Sequence, residues 1–404
     1  MDVFYSNCCG LDVHKKTITA CVITPKGKEL KTFGTFTNDL LSLADWIRGH
    51  SCTHVAMEST GVYWKPIYNI LEGYDVEILV VNAQHMKAVP GRKTDAYDAE
   101  WIADLLRHGL LTGSFIQDRE QRELKELVGY RKSLVEERAR EANRIQKVLE
   151  GAGIKLASVA TDITGRSGRS MLDAIVSGVD DPELLAKMAR GRLKGKKEQL
   201  QQALTGLVGR HQRMMLAMLL EHIDFLDQEI ARLDKEVEEQ MCPFEREISM
   251  LDEIPGIGLR NAQVILACIG IDMSRFPSTS HIASWAGVSP GNNESAGKRK
   301  KAKTTKGNPL LRTTLIQAAK SASHTKDTYL SAQYHRIAAR RGANKAAVAV
   351  AHTILVIVYC MLKHHTPYRE MGADYFAKVN AKAIRNRAIK QLEMLGYQVK
   401  IEAA

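Results

Sequence analysis

Residues 7–116 of this chain alternate between strand-like and helix-like segments, and this alternation limits the fold more than any other feature. The apolar runs CCGLDV and TITACVITP are typical of strands, and a PKGK turn joins the second run to a third, ELKTFGTFT. Helix-like and strand-like segments then alternate up to the apolar run VEILVVNA. Three strands in hairpin order followed by β–α units predict a mixed α/β sheet with helices on its faces.

Four carboxylates stand at informative positions in this pattern. Asp12 and Glu58 follow apolar, strand-like runs, whereas Asp95 and Asp98 lie three residues apart, nearly one helical turn, and so face the same way. Hard cations take oxygen ligands, and a pair of metals can clamp the attacking and leaving oxygens of a phosphate displacement. Each acid alone is typical of an ordinary surface residue, but their joint placement predicts a Mg²⁺-dependent phosphodiester site.

Composition narrows the class of protein. A length of 404 residues predicts two or three domains, and a net charge of +11 favours a polyanionic partner, with a merely basic enzyme as the alternative. The seven cysteines are scattered and form no CxxC pair, which disfavours a disulfide framework or a zinc site and indicates a reducing cytoplasm. We expect no signal peptide, and residues 346–362, slightly short for a membrane span, predict a buried core helix.

Residues 119–241 predict an antiparallel helical arm, because they are rich in Glu, Lys, Arg, Gln and Leu and carry little strand signal. Residues 119–150 form one helix of this arm, and a Gly- and Ser-rich stretch of short helices and loops follows. A heptad seam, offset once by one residue, is predicted at Leu200, Leu204, Leu207, His211, Met214, Met218, Ile223, Leu226, Ile230, Leu233 and Val237. We expect self-association through the arm, with an intramolecular helix pair as the alternative.

Two further segments predict contact with nucleic acid. In IPGIGLRNAQV, Gly256 and Gly258 allow a tight turn whose backbone N–H groups can hold a phosphate, as in a helix-hairpin-helix, although a plain turn inside a core is the alternative. Ser295 precedes a basic run and, because no neighbouring base activates it, composition indicates only a loop serine. The basic run consists of Lys298, Arg299, Lys300, Lys301, Lys303 and Lys306. It is predicted to bind phosphates, with a solvated loop as the alternative.

Together, these motifs resemble a known family. GLDVHK, MESTGVYWKP, KTDAYDAEWIADLLRHG, IPGIG and WAGVSPGNNESAGKRKK…GNPLLR occur in the order found in the DEDD transposases of bacterial insertion sequences, serine recombinases guided by a bridge RNA. The resemblance runs from about residue 7 to residue 365. It implies an RNase H-like (RuvC-like) domain at 1–117, an antiparallel coiled-coil arm at 118–242, a mostly helical transposase domain at 243–375 and a basic helical tail at 376–404.

The resemblance also implies roles for the site residues. Asp12, Glu58, Asp95 and Asp98 would hold Mg²⁺, with Mn²⁺ as a substitute, and Ser295 would form a covalent phosphoserine with DNA. The family forms dimers and then tetramers on donor and target double-stranded DNA, so a site shared between subunits is expected. A bridge RNA from the element would select the DNA sequence. These expectations place the protein in the bacterial cytoplasm, associated with the nucleoid and with no membrane.

Two other functions stay open at this stage. The first is a metal-dependent nuclease or Holliday-junction resolvase that uses water, with Ser295 as a bystander. The second is a non-catalytic nucleic-acid scaffold, which the intact acidic quartet disfavours. Residues 151–200 make the arm longer than in compact family members, and this stretch either binds its own RNA or extends the arm.

Overall fold

The computed structural model describes residues 2–59, 61–81, 98–291, 294–295, 298–299, 304, 307–379 and 381–398, with the backbone alone at 294–295, 298–299, 382–384 and 387–388. Of the predicted site residues, Asp95, Lys300, Lys301, Lys303 and Lys306 lie outside this set. The chain divides into two compact units, Met1–Arg119 and Glu120–Ala404. The predicted boundaries at 117, 242 and 375 stay predictions.

The N-terminal unit is a five-stranded mixed sheet with helices, which confirms the predicted α/β class. The strand order is β3-β2-β1-β4-β5, in which β1 pairs antiparallel with β2 and parallel with β4. The strands are β1 (Cys8–Val13), β2 (Thr17–Thr24), β3 (Gly27–Gly34), β4 (His54–Glu58) and β5 (Glu77–Val81). The helices are α1 (Thr37–Gly49), α2 (Trp64–Leu71) and α3 (Asp98–Arg107).

Both faces of this sheet are covered by apolar cores. Successive side chains of a strand point to opposite faces, so Leu11 and Met57 pack with α1 and α2, whereas Cys8 and Ala56 pack with α3. The central strand β1 is therefore buried on both sides. This double burial is the physical reason why CCGLDV is almost continuously apolar.

The C-terminal unit is mostly helical in the described residues, as predicted. Its helices are α4 (Arg119–Gly151), α5 (Leu156–Val159), α6 (Arg166–Val176), α7 (Pro182–Lys187), α8 (Lys197–Leu204), α9 (Arg210–Met241), α10 (Glu245–Asp252), α11 (Leu259–Ile269), α12 (Thr279–Trp285), α13 (Pro309–Ala322), α14 (Tyr329–Arg341), α15 (Ala343–His364), α16 (Tyr375–Val379) and α17 (Ala381–Met394). Short 3-10 helices lie at Gly191–Lys196, Cys242–Phe244 and Met273–Arg275. A two-stranded ribbon consists of β6 (Glu294–Ser295) and β7 (Lys298–Arg299).

The long helices α4 and α9 lie side by side and antiparallel. Arg131 Nη1 donates to Asp234 Oδ1 at 3.1 Å, and seven residues further along α4, Arg138 Nη2 donates to Asp227 Oδ2 at 3.0 Å. A step forward along α4 thus corresponds to a step backward along α9. Between these ion pairs lies a small buried cluster of Leu134, Leu226 and Ile230. Coiled-coil geometry and self-association of this pair stay predictions.

The predicted seam across residues 200–218 is wrong. Helix α8 ends at Leu204, and Leu207, which is 90% exposed, lies in the break before α9. Met214 and Met218 are 66% and 59% exposed, because the first turns of α9 pack against short helices through a different face. Within the break, an added Cβ at Gly206 would lie 2.5 Å from the Ala152 carbonyl oxygen, and Leu207 N–H donates to the same oxygen at 2.9 Å.

Residues 152–209, called the tip below, form a folded cap at the ends of α4 and α9. The predicted short helices are present here as α5 to α8. Their shared core also takes in Ile145 and Leu149 of α4 and Leu216 of α9. The tip therefore has its own hydrophobic core and is more than an extension of two helices.

Helix α15 is the apolar centre of the remaining helices. Among the described helices it alone is long and apolar enough to cross a membrane by length and composition. Val350, Ile354 and Val358 are nevertheless fully buried within the protein, and Tyr359 Oη donates to the Phe276 carbonyl at 3.1 Å. The prediction of a buried core helix is confirmed.

Candidate active site

Asp12 and Glu58 reach the same level on neighbouring parallel strands. The register pairs Leu11 with Met57, so the next step along each strand brings Asp12 beside Glu58, the last residue of β4. Leu11 and Met57 face α1 and α2, and because side chains alternate, Asp12 and Glu58 point to the α3 face. The carboxyl ends of parallel strands β1 and β4 thus bring two of the predicted acids together.

Helix α3 lies directly on the backbone of β1. A Cβ added to Gly10 would collide with the Ala99 carbonyl and would lie 2.9 Å from the Ala103 Cα. Asp98 belongs to the same helical turn as Ala99, so it begins α3 close to the strand that carries Asp12. An ion pair between Lys28 of β3 and Glu100 fixes α3 at a second point. The structure thus gives Gly10 a role in helix packing, because only a residue without a side chain lets α3 approach this closely.

His14 is a residue of this site that the sequence reasoning missed. Its Nε2 lies 3.0 Å from Asp12 Oδ2, and the side chain of Asp12 is only 15% exposed against 63% for His14. When Nε2 carries the proton, it donates to the carboxylate and fixes one of its oxygens. The Asp-x-His spacing at a strand end was the available signal, because residues two apart share a face.

The donors on this face fit a hard divalent cation by their chemistry. Asp12, Glu58 and Asp98 offer carboxylate oxygens, which Mg²⁺ prefers. Zinc instead takes sets of thiolates and imidazoles, and the sequence predicted no such set. Within the described residues, which leave out Asp95, no three His, Cys, Asp or Glu side chains are grouped closely enough to hold a metal. A test of metal binding at this site therefore has to include Asp95, the fourth acid of the predicted quartet.

Two cysteines on the same face are poor nucleophiles. Cys8 and Cys21 belong to the core under α3. Burial raises the pKa of the Cys8 thiol to about 11 and that of Cys21 to about 11. Thiols with such pKa values carry almost no thiolate near neutral pH. The α3 face therefore presents carboxylates as its reactive groups.

Ser295 lies in a short strand, which differs from the loop position indicated by composition. Ser295 of β6 pairs with Lys298 of β7, and Glu294 pairs with Arg299. An isolated bridge between Pro290 and Thr304 continues the antiparallel pairing. This pairing brings the backbone of the basic run beside the serine.

Backbone contacts hold the base of this ribbon. A Cβ added to Gly307 would lie 2.5 Å from the Trp285 carbonyl oxygen, and Asn308 N–H donates to that oxygen at 3.2 Å. Asn308 then caps α13 by accepting hydrogen bonds from Leu310 and Leu311 N–H, with Pro309 as the first helical residue. Local chemistry thus explains the WAG and GNPLL segments on either side of the ribbon.

The two glycines of PGIG have different surroundings. Gly256 has φ +89° and lies against α13, where an added Cβ would be 2.5 Å from Ala322 N. Gly258 is exposed and immediately precedes α11, with open space around its Cβ position. The predicted phosphate contact is therefore structurally accessible at Gly258, while Gly256 is a packed turn. Nucleic-acid binding by either stays a prediction.

Comparison with known families gives two matches in chain order. Residues 9–154 match the DEDD transposases of the IS110 type, described simply as transposase. Residues 248–335 match the transposase IS116/IS110/IS902 family. The first match contains the four predicted acids, and the second contains PGIG and Ser295. Most of the tip falls between the two.

Individual relatives are similar over most of the chain. The transposase for insertion sequence element IS1111A from Coxiella burnetii is 26% identical over 89% of this chain and 90% of its own length. A probable family 20 transposase from Pseudomonas aeruginosa is 26% identical over 78% of this chain and 85% of its own length. A pilin gene-inverting protein from Moraxella lacunata is 23% identical over 89% of this chain and 96% of its own length. With both family matches in order, this chain belongs to the IS116/IS110/IS902 family of transposases, which are enzymes that act on DNA.

Proposed function

We propose that this chain moves a bacterial insertion sequence by cleaving, exchanging and rejoining DNA strands through a covalent phosphoserine at Ser295. The observation that carries the proposal is the placement of Asp12 and Glu58 at one level, on the sheet face where α3 begins with Asp98. Relatives named as a transposase and as a gene-inverting protein support it, because both names describe rearrangement of DNA.

Asp12, Glu58, Asp95 and Asp98 hold Mg²⁺ in this proposal, and Mn²⁺ can substitute. When bound, the cation supplies positive charge that stabilises the phosphate oxygens during displacement. The chain contributes a fixed scaffold, since α3 lies on Gly10 and His14 orients one oxygen of Asp12. The strand order β3-β2-β1-β4-β5, with acids at the ends of β1 and β4, supports an RNase H-like domain.

Ser295 is the proposed nucleophile. Its Oγ forms a bond to phosphorus while a P–O bond of the DNA strand breaks; the serine gives up its proton and the released strand oxygen gains one. The phosphoserine conserves the energy of the phosphodiester, so a hydroxyl from another strand can displace the serine without a high-energy cofactor. The pairing of Ser295 with Lys298 supports this role, because it brings a basic segment beside the reacting phosphate.

We also propose assembly into dimers and DNA-bound tetramers, in which carboxylates of one subunit act with the serine of another. Met214, Met218 and Phe225 support an interface on α9, since they are exposed and lie on one helical face. Guidance by a bridge RNA that pairs with donor and target DNA is part of the same proposal. The net charge of +11 is consistent with a polyanionic partner.

Covalent trapping tests the chemistry. The full chain is incubated with Mg²⁺, donor and target duplexes, and RNA transcribed from the flanking ends of the element, and protein–DNA adducts are then mapped by mass spectrometry. We expect an adduct at Ser295 that requires RNA and is lost in Ser295→Ala. Cleaved DNA without an adduct would instead indicate attack by water.

A matched pair on α3 tests the carboxylates. Asp98→Asn should abolish the adduct, whereas Asp104→Asn, on the same helix and half exposed beside His108, should retain it. Equal loss in both variants would mean that α3 tolerates no change of charge. Equal activity in both would remove Asp98 from the site.

A further inference from the structure

The tip carries an unbalanced positive segment that the proposed reaction does not use. From Lys187 to Lys197, called the basic turn below, the chain has six cations and no acid. They are Lys187, Arg190, Arg192, Lys194, Lys196 and Lys197, and all six residues are exposed.

Four of these cations lack a partner within the described part of the chain. Lys187 Nζ lies 2.9 Å from Glu183 Oε1, and the charge of Lys197 also lowers the pKa of Glu183. The backbone N–H of Arg190 donates to Ser167 Oγ at 2.9 Å. The charged groups of the four cations between Lys187 and Lys197 form no ion pair or hydrogen bond with a described residue; these cations are Arg190, Arg192, Lys194 and Lys196.

Most acids of the tip are engaged elsewhere. Asp173 pairs with Arg169, Asp180 pairs with Arg213, and Asp181 accepts from Glu183 N–H at 2.8 Å as the cap of α7. Asp162 accepts from Thr164 N–H at 2.9 Å. The positive charge of the basic turn is therefore left to solvent or to an anionic partner.

The middle of the basic turn is a short 3-10 helix, Gly191–Lys196, and the turn is anchored by apolar residues that include the buried Ala189. Leu193 packs against the tip core, while the Cβ positions of Gly191 and Gly195 have no atom within 4 Å. The cations thus stand on a fixed but open surface. A ligand can approach them without displacing any described part of the protein.

The composition of the tip favours a duplex over a single strand. Residues 152–209 contain no Phe, Tyr, Trp or His, so the tip offers no aromatic platform on which unpaired bases could stack. Cations without aromatic residues bind phosphates in a manner independent of sequence. A duplex backbone supplies such phosphates in two closely spaced rows.

The tip lies well along α4 from the PGIG turn. Arg131 of α4 donates to Gln263 Oε1 of α11 at 2.8 Å, so α11, which follows the PGIG turn, lies beside Arg131 along α4. From Arg131 to the end of α4 at Gly151 the helix rises about 30 Å, at 1.5 Å per residue. This length corresponds to about nine base pairs of duplex DNA, at 3.4 Å each.

We propose that the basic turn of the tip binds the backbone of duplex DNA away from the phosphate that is cleaved. The inference rests on the proposed function only for the identity of the polyanion as DNA. Its physical effect is to add phosphate contacts about one helical turn of DNA beyond the contact predicted at the PGIG turn.

A pair of double variants tests the proposal by equilibrium binding to a duplex of about forty base pairs, four helical turns. Arg192→Gln with Lys194→Gln removes two unpaired cations. The control, Arg232→Gln with Lys235→Gln, removes one Arg and one Lys that are also exposed, on α9, but already paired with Glu229 and Glu239. Both variants change the net charge by the same amount, and all six substituted or partner side chains lie at the surface.

We expect the basic-turn variant to bind the duplex more weakly, by roughly tenfold or more, at 0.1 M salt. The slope of log K against log salt concentration should become less steep by about two, one for each lost phosphate contact. The control should differ little from the unmodified protein. Thermal unfolding of each variant verifies that the fold is retained.

Equal affinity of the two variants, or equal loss in both, would overturn the proposal. Loss of binding to an RNA duplex with unchanged binding to DNA would overturn it as well, in favour of an RNA surface. The covalent adduct at Ser295 is scored separately on the unmodified protein, so failure of the proposed chemistry and failure of the tip contact give different results.

Discussion

The sheet of the N-terminal unit and the α4–α9 helix pair are held together in opposite ways. Both faces of the sheet are apolar, with residues such as Leu11 and Cys8 fully buried. The middle of the helix pair instead buries Arg131 and Glu141 beside only a small apolar cluster. Apolar burial depends on no ionised group, whereas buried charges are stable only while their partners remain. The scaffold of the proposed metal site should therefore be rigid, and the helix pair should be adjustable.

The largest effect is expected at Gly10. In Gly10→Ala the new Cβ meets backbone atoms of α3, which have no flexible end that could move aside. We expect a loss of about 3 kcal/mol of unfolding free energy, the upper end for overpacking, measured by urea denaturation. Alkylation of Cys8 should also become faster, since its thiol is buried against the Ala103 carbonyl.

Gly49→Ala is the matched control for this change. Gly49 ends α1 and has no atom within 4 Å of its Cβ position. Alanine there should be neutral or stabilise by about 0.5 kcal/mol. If Gly10→Ala behaved like Gly49→Ala, the close approach of α3 to the sheet would be wrong.

Arg131 gives the second largest effect. Burial lowers the pKa of its guanidinium, and Asp234 and Gln263 offset that cost. Arg131→Ala should lose about 2 kcal/mol, less than for a fully buried pair because Asp234 is partly exposed and keeps Arg260 as a partner. Arg131→Met, which fills the space without charge, should lose less than half of that amount in the same denaturation experiment.

Glu141 should show an effect of opposite sign. Its carboxylate is buried, and its Oε2 accepts no hydrogen bond in the described structure, although Oε1 meets Arg144. Replacing Glu141 by Leu should raise the unfolding free energy by about 1 kcal/mol. Glu136→Leu, at an exposed position of the same helix, should not. Destabilisation by Glu141→Leu would show that a partner outside the described contacts satisfies the carboxylate.

The smallest effect is a pH dependence at Asp224, where α9 meets the tip. Two hydrogen bonds from Arg169 hold the pKa of Asp224 below its ordinary value. A lowered carboxyl pKa stabilises the fold above about pH 4, and this contribution is lost as the pH falls through the folded pKa. Because the pair is about half exposed, we expect less than about 1 kcal/mol. Comparison of Asp224→Asn with the unmodified protein between acidic and neutral pH measures it.

The same contrast explains which parts of the fold could be predicted. A strand that is buried on both faces is almost continuously apolar, so β1, β4 and the strand-end positions of Asp12 and Glu58 could be predicted from the sequence. In α9, Met214 and Met218 have helical spacing but face outward, because the tip core rotates the buried face to Leu216 and Leu220. Spacing alone does not tell which of two apolar stripes is covered.

Within the site, contacts between backbone atoms were the hardest to foresee. The local sequence pattern does not indicate that α3, nearly ninety residues later, packs on the backbone of Gly10. Nor does it indicate that Gly307 contacts the Trp285 carbonyl. His14 was missed although the Asp-x-His spacing at a strand end places both side chains on one face, because the sequence does not give the distance between them. The strand position of Ser295 depends on pairing across a basic segment that composition describes as a loop.

The chain enters and leaves the tip at neighbouring points. Gly151 ends α4, and a Cβ at that position would lie 3.8 Å from the Gln212 side chain of α9. A segment whose two ends nearly touch can be exchanged for another folded module, or shortened to a turn, without changing the path of the helices that carry it. The end of the helix pair is thus a natural graft point, where this family of enzymes could acquire or lose accessory modules while the chemistry stays intact.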